Sequence, residues 1–547
     1  MTNDTTDRDA VLDSAHLGDI RGALGTIRQG DVAPRNRVSL RLKTLLAIIG
    51  PGLIVMVGDN DAGAFGTYTQ AGQNYGTRLL WTLLLLIPVI YVNQEMVLRL
   101  GAVTGVGHAR LILERYGRFW GAFSVIDLFI LNALTIVTEF IGISLGLTYL
   151  GLPKVPGVIA AALVIIASVS TGSFRRFERV SLLLVAGSLT LIPIFLLVHP
   201  PMGQVARDFL VPGMPAGSQM STVMLLIIAI VGTTVAPWQL FFQQSYIIDK
   251  RITPRFIPYE RVDLWLGIVF VVVGAVAMMA FSAAAFAGTP GHGNYTDALG
   301  IAEGLAATAG HWAGILFAIA LIDASIIGAA AVGLSTSYAM GDVLGLHHSL
   351  HRRPSEAKAF YAIFAGLLLV SAVIVIIPGS PLGLLTEGVQ TLAGVLLPSA
   401  TVFLLLLCND RGVLGPWVNG RAMNVFAGAV IAVLVMLSTI LTASVLFPQI
   451  TSGQILVILA VGTALSLAAG AYLAWSGRHP KDATPAASTE APEPARDRAT
   501  WRMPPLAMLT RPTLSAGNRT GLTVLRGYLL VASALVVVKV VQLALGH

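Results

Sequence analysis

The chain has 547 residues, 55% of them hydrophobic and only 12% charged, with a formal net charge of +7. Soluble domains carry about 25% charged residues, so this balance places most of the chain in lipid and excludes a string of soluble domains. The lone Cys408 excludes a disulfide framework and a thiolate metal cluster, and the basic residues sit in short loops between apolar runs, a distribution that fits the positive-inside rule better than nucleic-acid binding.

Residues 1–44 are polar and charged, with no apolar core near Met1. They read as a disordered cytoplasmic tail with a short helix around residues 10–28, not as a cleaved signal peptide. A spanning helix needs about 20 apolar residues. Runs of that kind centre on residues 45–70, 77–98, 120–149, 155–171, 180–199, 222–247, 263–288, 310–340, 359–378, 383–407, 424–447, 454–476 and 522–545. The chain is therefore expected to be an all-α polytopic membrane protein. Residues 45–476 would form a core of about 12 transmembrane helices, 477–520 a flexible Pro- and Ala-rich linker, and 521–547 an additional C-terminal helix.

Lysine and arginine fix the expected orientation. With the N-terminus cytoplasmic, 31 of the 35 fall in inside segments, three (Arg78, Lys154 and Arg207) fall outside, and Lys539 lies in the last span. A wrong division into spans would not produce that asymmetry. The cell membrane is the expected location.

Ionisable groups at membrane depth are costly, which makes each one a functional candidate. The first span has a polar, glycine-flanked centre, Gly58-Asp59-Asn60-Asp61-Ala62-Gly63. An unwound helix would use this arrangement, because glycine permits the broken backbone and freed carbonyls plus a carboxylate can coordinate a cation. The bland alternative is a buried kink that only packs. In the sixth span, Gly232-Thr233-Thr234 followed by Ala236-Pro237-Trp238-Gln239 marks a second interruption, where Pro237 removes an amide donor. Two interrupted helices, each opening a block of five, form the pattern of a 5+5 inverted-repeat transporter fold with broken helices 1 and 6.

Over roughly residues 44–476 the chain resembles the NRAMP family of divalent metal transporters. The resemblance is carried by Gly50-Pro51-Gly52, by Asp61-Ala62-Gly63-Ala64-Phe65-Gly66-Thr67 with Gln70-Ala71-Gly72, by LRLGAVTGVGHARLILERYG after the second span, and by Tyr259-Glu260-Arg261-Val262-Asp263. It implies an alternating-access transporter, not an enzyme, with a transported metal and no resident cofactor. Asp61 is the side-chain ligand that carries over cleanly. The departures matter as much. Ala236-Pro237-Trp238 stands where the family has Met-Pro-His, Ala64 where it has Asn, and Gln243 in place of a further His. Ile136-Val137-Thr138-Glu139 keeps the Glu and loses the Asp of the third helix, and Leu396 before Pro398 stands for a tenth-helix Gln.

Without the Met the expected site is all oxygen, which suits Mg²⁺, Ca²⁺ and Mn²⁺ over softer metals. Its expected members are Asp61, Asp59, Gly58, Thr233 and Gln239. Ala64, Ala236, Trp238, Asn60 and Thr234 would line a vestibule, and the two alanines would leave room for retained water. These substitutions also resemble those of the NRAMP-related magnesium transporters. Glu139 and Asp323 are candidates for proton handling or gating, with Asp323 weighed equally as a carboxylate tied to a neighbouring helix. All ten histidines fall in loops, tails or span ends, so a histidine proton relay at depth is not expected. His347, His348 and His351 read as a solvated loop. The expected function is transport of a hard divalent cation (Mg²⁺ or Mn²⁺) with weak or no proton coupling. A proton-coupled Mn²⁺/Fe²⁺ importer, or a symporter of the same fold carrying an amino acid or amine, remains the alternative.

Overall fold

The computed structural model describes residues 14–377, 382–447, 450–476 and 498–510, with isolated positions beyond. Helix α1 (Val38–Ile48) meets α2 (Pro51–Gly58) at a 48° bend. Gly50 sits at that bend with φ of 150°, a setting strained for residues with a Cβ. Pro51 then starts α2 at a position where a missing amide is harmless. After the interruption at residues 59–61 comes α3 (Ala62–Tyr75).

The first block continues with α4 (Trp81–Thr104), α5 (His108–Tyr116), α6 (Arg118–Tyr149), α7 (Lys154–Val169), α8 (Phe174–Gly187) and α9 (Leu191–Val198), and a short α10 (Met202–Leu210) follows. A 3₁₀ step, Ser188–Thr190, joins α8 to α9 as one span, Phe174–Val198. The second block opens with α11 (Met220–Thr234) and α12 (Pro237–Asp249), then α13 (Ile257–Phe286), α14 (Ala298–Ala309), α15 (His311–Leu344), α16 (Lys358–Ile376) and α17 (Leu382–Cys408). Beyond it lie α18 (Arg411–Leu414), α19 (Arg421–Leu446) and α20 (Ser452–Ser476).

Among the described residues, nine helices are long and apolar enough to cross a membrane, or ten if the bent pair α1 and α2 counts as one. The expected fourth span is the shorter Lys154–Val169, and the thirteenth lies almost wholly outside the described residues. The expected 5+5 arrangement is present, with the first helix of each block broken.

Long helices hold the bundle together through small residues. Among these pairs, α15 runs along α6, α13 along α2 and α3, and α11 along α17. Gly142 and Gly146 of α6, one turn apart, face α15. A Cβ on Gly146 would stand 3.0 Å from the Ala318 carbonyl, and one on Gly142 would stand 2.6 Å from Ala62 Cβ. Such spacing lets backbones approach closely where lipid supplies no hydrophobic drive between helices.

Two sequence expectations need correction, one in the N-terminal segment and one in the C-terminal linker. No α-helix lies within residues 14–28. The segment instead forms a 3₁₀ turn, Ser14–His16, and a small hairpin of β1 (Ile20–Arg21) and β2 (Thr26–Ile27). Gly22 and Gly25 allow its tight passage over Ala47, which local helix propensity does not register. Part of the C-terminal linker also docks. Met503 N–H donates to the Val103 carbonyl at 3.2 Å, and Arg115 Nη1 donates to the Thr510 carbonyl at 2.7 Å.

Candidate functional site

The two breaks meet inside the bundle. The first leaves α2 at Gly58 and re-enters helix at Ala62, with Asp61 as N-cap accepting the Ala64 N–H at 2.9 Å. This places a carboxylate at the positive end of α3. At the second, Val235 and Ala236 leave helical geometry between α11 and α12. Pro237 has no N–H to offer the Thr233 carbonyl, so that oxygen is free of its usual helical donor.

Side chains lace the breaks together. Gln239 Nε2 donates to Asp59 Oδ1, and Gln94 Nε2 of α4 donates to Gln239 Oε1 at 3.0 Å. Thr234 Oγ1 donates to the Ile230 carbonyl, which leaves Tyr68 O–H as the donor in the 2.6 Å contact between Tyr68 and Thr234. The Trp238 indole is buried against Gly58, where a Cβ would lie 3.7 Å from its ring, and forms a wall rather than a ligand. Glu139 of α6 reaches the same corner and accepts the Ala62 N–H at 3.2 Å. Three carboxyl groups thus crowd one buried region. Like charges there disfavour one another, and a cation between them relieves this.

Several buried polar atoms of this region have no hydrogen-bond partner among the described residues. They are Asp59 Oδ2, Thr233 Oγ1, Gln94 Oε1, Gln390 Nε2 and both amide atoms of Gln243. Each such atom costs about 1–3 kcal/mol if it stays unsatisfied, so the region is built to receive polar guests. Among the described residues no three His, Cys, Asp or Glu side chains converge in metal-ligand geometry. A cation here would depend on one or two carboxylates and on neutral oxygens.

Of the residues expected from sequence, Asp59, Asp61, Gly58, Thr233, Thr234, Gln239, Trp238 and Glu139 come together, with Ala64 and Ala236 buried beside them. Asn60 turns away, its Nδ2 donating to the Val271 carbonyl of α13 at 3.2 Å. The Asp323 carboxyl packs against Gly187, the last residue of α8, midway along the fifth span. Gln94 and Gln390 were missed. Gln390 of α17 abuts Gly63 of the first break with its side chain and Gly232 of the second with its carbonyl. A glutamine of the tenth spanning helix thus reaches both breaks, six residues before Leu396. A glutamine inside an apolar span was the available signal.

The histidine loop needs correction in part, because His348 and His351 are packed, while His347 is exposed as expected. His348 Nε2 lies 3.1 Å from Asp342 Oδ1, and His351 Nε2 lies 3.1 Å from the Asp249 carbonyl. Burial alone would lower the His348 pKa, but the Asp342 carboxylate overrides it and holds the imidazole up at about 9.

Two narrow clefts border the breaks. One is lined by Ala62, Gly66, Thr138, Tyr295 and Asp297, and the other by Pro237, Asp127 and Ile112. Each reaches one break, and alternating access requires a passage to the site from either side.

Residues 52–444 match the family described as Nramp, natural resistance-associated macrophage protein-like. The chain is 31% identical over 411 residues to the divalent metal cation transporter MntH of Ralstonia nicotianae, covering 72% of this chain and 89% of that protein. It is 27% identical over 433 residues to the protein of the same name from Deinococcus radiodurans, covering 75% and 92%. Among solved structures, a point mutant of the Eremococcus coleocola manganese transporter superposes with a TM-score of 0.62 at 20% identity, covering 84% of this chain and 98% of that one.

Proposed function

The chain belongs to the Nramp family, and on that footing we propose that it carries a divalent metal cation across the membrane by alternating access between the two clefts. The ion sits between the breaks, bound by Asp61 and Asp59 and by carbonyls near Gly58 and Thr233, with Gln239 orienting the Asp59 carboxylate through its amide N–H. The N-terminus is cytoplasmic and the membrane is the cell membrane, as the basic-residue asymmetry supports.

The cargo is a hard cation, Mg²⁺ or Mn²⁺, carried with part of its water shell. The observation behind this is the set of unpaired acceptor oxygens, Gln94 Oε1, Gln243 Oε1 and Thr233 Oγ1, in a site that lacks sulfur and histidine. Hydrated ions are held through such neutral oxygens, and Mg²⁺ gives up its water reluctantly. Proton coupling is weak or absent on this reading. The second reading is a proton-coupled Mn²⁺ importer, favoured by Glu139, which places a second acid beside Asp61. Proteoliposomes with an internal pH dye separate the two readings. Mg²⁺ and Mn²⁺ influx without stoichiometric acidification supports the first, and acidification that tracks Mn²⁺ influx supports the second.

A further inference from the structure

The face of α12 that carries Gln239 continues through Gln243 and Tyr246 to Lys250 at helical spacing, running from the breaks to the N-terminal side. At its end Lys250 pairs with Glu178 of α8, and both are fully buried. Lys250 Nζ also donates to the Ile48 carbonyl and, at 2.9 Å, to the Ile49 carbonyl, at the joint between α1 and α2. The second oxygen of Glu178 accepts the Ala23 N–H, from the turn of the N-terminal hairpin. Hairpin, joint and ion pair form one hydrogen-bonded unit.

Four arginines bind the same segment by its backbone. Arg175 Nε donates to the Gly22 carbonyl at 2.9 Å and Nη2 to that of Gly25 at 3.2 Å, while Arg179 Nε donates to the Ala23 carbonyl at 3.2 Å. Arg251 Nη2 donates to the Ala15 carbonyl at 2.7 Å and Nη1 to that of Asp19 at 3.1 Å. Arg255 holds the carbonyls of Asp31, Val32 and Ala33 at 2.6–2.9 Å. The first two arginines belong to α8 and the others to the α12–α13 connection. Gly22 and Gly25 rest on Ala47 of α1, and Ile20 and Ile27 are buried. One segment therefore ties together three elements, α1, α8 and the end of α12, that must part for the α12 lane to open.

We propose that residues 14–33 form a strap that locks the N-terminal side of the transporter, and that the strap must lift before the lane below the ion site opens there. The inference rests on the transport reading for its flux consequence only. The binding is to backbone carbonyls, so it tolerates side-chain change in the strap and depends on the arginines that grip it.

The test is a reversible tether. A Cβ on Gly25 would stand 2.9 Å from Ala47 Cβ, within a small shift of disulfide spacing. A Gly25→Cys, Ala47→Cys protein in liposomes is expected to lose at least ten-fold of its Mg²⁺ and Mn²⁺ influx when oxidised and to recover it with dithiothreitol. Amide exchange across residues 237–249, which the tether does not touch, should slow at least three-fold in the oxidised form. Cross-linked protein that transports at the reduced rate overturns the strap. If neither form transports, the transport reading has failed separately and exchange decides: slower exchange upholds the strap, and equal exchange overturns it. Arg175→Gln with Arg251→Gln, which needs no cross-link, should speed that exchange at least three-fold, and unchanged exchange also overturns the strap.

Discussion

Gln239 donates its amide proton to the Asp59 carboxylate across the gap between the two broken helices, and takes one in turn from Gln94. The relation makes Gln239 the joint of the site, since it fixes where Asp59 points and presents its oxygen toward α4. Replacing it with Leu removes both bonds and leaves the Asp59 carboxylate wholly unpaired. Gln239→Leu should lower divalent-metal influx at least ten-fold. In a double-mutant cycle with Asp59→Asn the two changes should couple by about 1–3 kcal/mol. Additive losses would show that the bond does not matter to transport.

Gly142 tests the packing that holds the first break in place. An added methyl would press on Ala62, the first residue of α3, and on Ser325 of α15. Gly142→Ala is expected to destabilise the protein by about 1–3 kcal/mol, read as a lower melting temperature in detergent. A melting temperature equal to that of the parent would mean that α6 and α15 can separate at no cost.

The His348–Asp342 pair predicts a pH dependence. The folded pKa, held up at about 9, lies above the ordinary value of 6.5. A raised folded pKa gives stability that is complete below about pH 6.5 and lost as pH rises through about 9. The melting temperature should therefore fall between pH 6.5 and 9, by an amount corresponding to about 1–3 kcal/mol. His348→Gln should flatten that fall. An equal fall in the variant would assign it to other groups.

Ala236 tests selectivity. It stands at the start of α12 beside Pro237, where a thioether could reach the break. Sulfur prefers softer metals, so Ala236→Met should shift preference from Mg²⁺ toward Mn²⁺ or Cd²⁺ by about ten-fold in competition assays. An unchanged order would place the ion away from residue 236.

Both breaks were legible because their causes are local: the glycines around Asp59 and Asp61, and Pro237. The apolar runs were equally plain, and so were the paired blocks. Gln94 and Gln390 were not, since an uncharged amide in an apolar span acquires meaning only from what faces it, here Gln239 and Gly63. Leu396, close to Pro398, lies six residues beyond the glutamine that faces the breaks. The hairpin escaped for a related reason. Its strands are two residues long and are held by Arg175, Arg179 and Arg251, which lie more than 100 residues away in sequence. His348 looked solvated because Asp342, its partner, lies on the far side of a turn.

Asp61 carries the central claim, since it supplies a formal charge at the break and caps α3. Metal influx into liposomes should be measured for the parent, Asp61→Ala and Asp59→Ala, with melting temperature as the check on folding. Losing the cap alone costs about 1 kcal/mol, a modest drop in melting temperature. The account predicts that Asp61→Ala remains folded and shows no Mg²⁺ or Mn²⁺ influx above empty liposomes, while Asp59→Ala keeps a reduced rate. Folded Asp61→Ala protein that transports at the parent rate would contradict it.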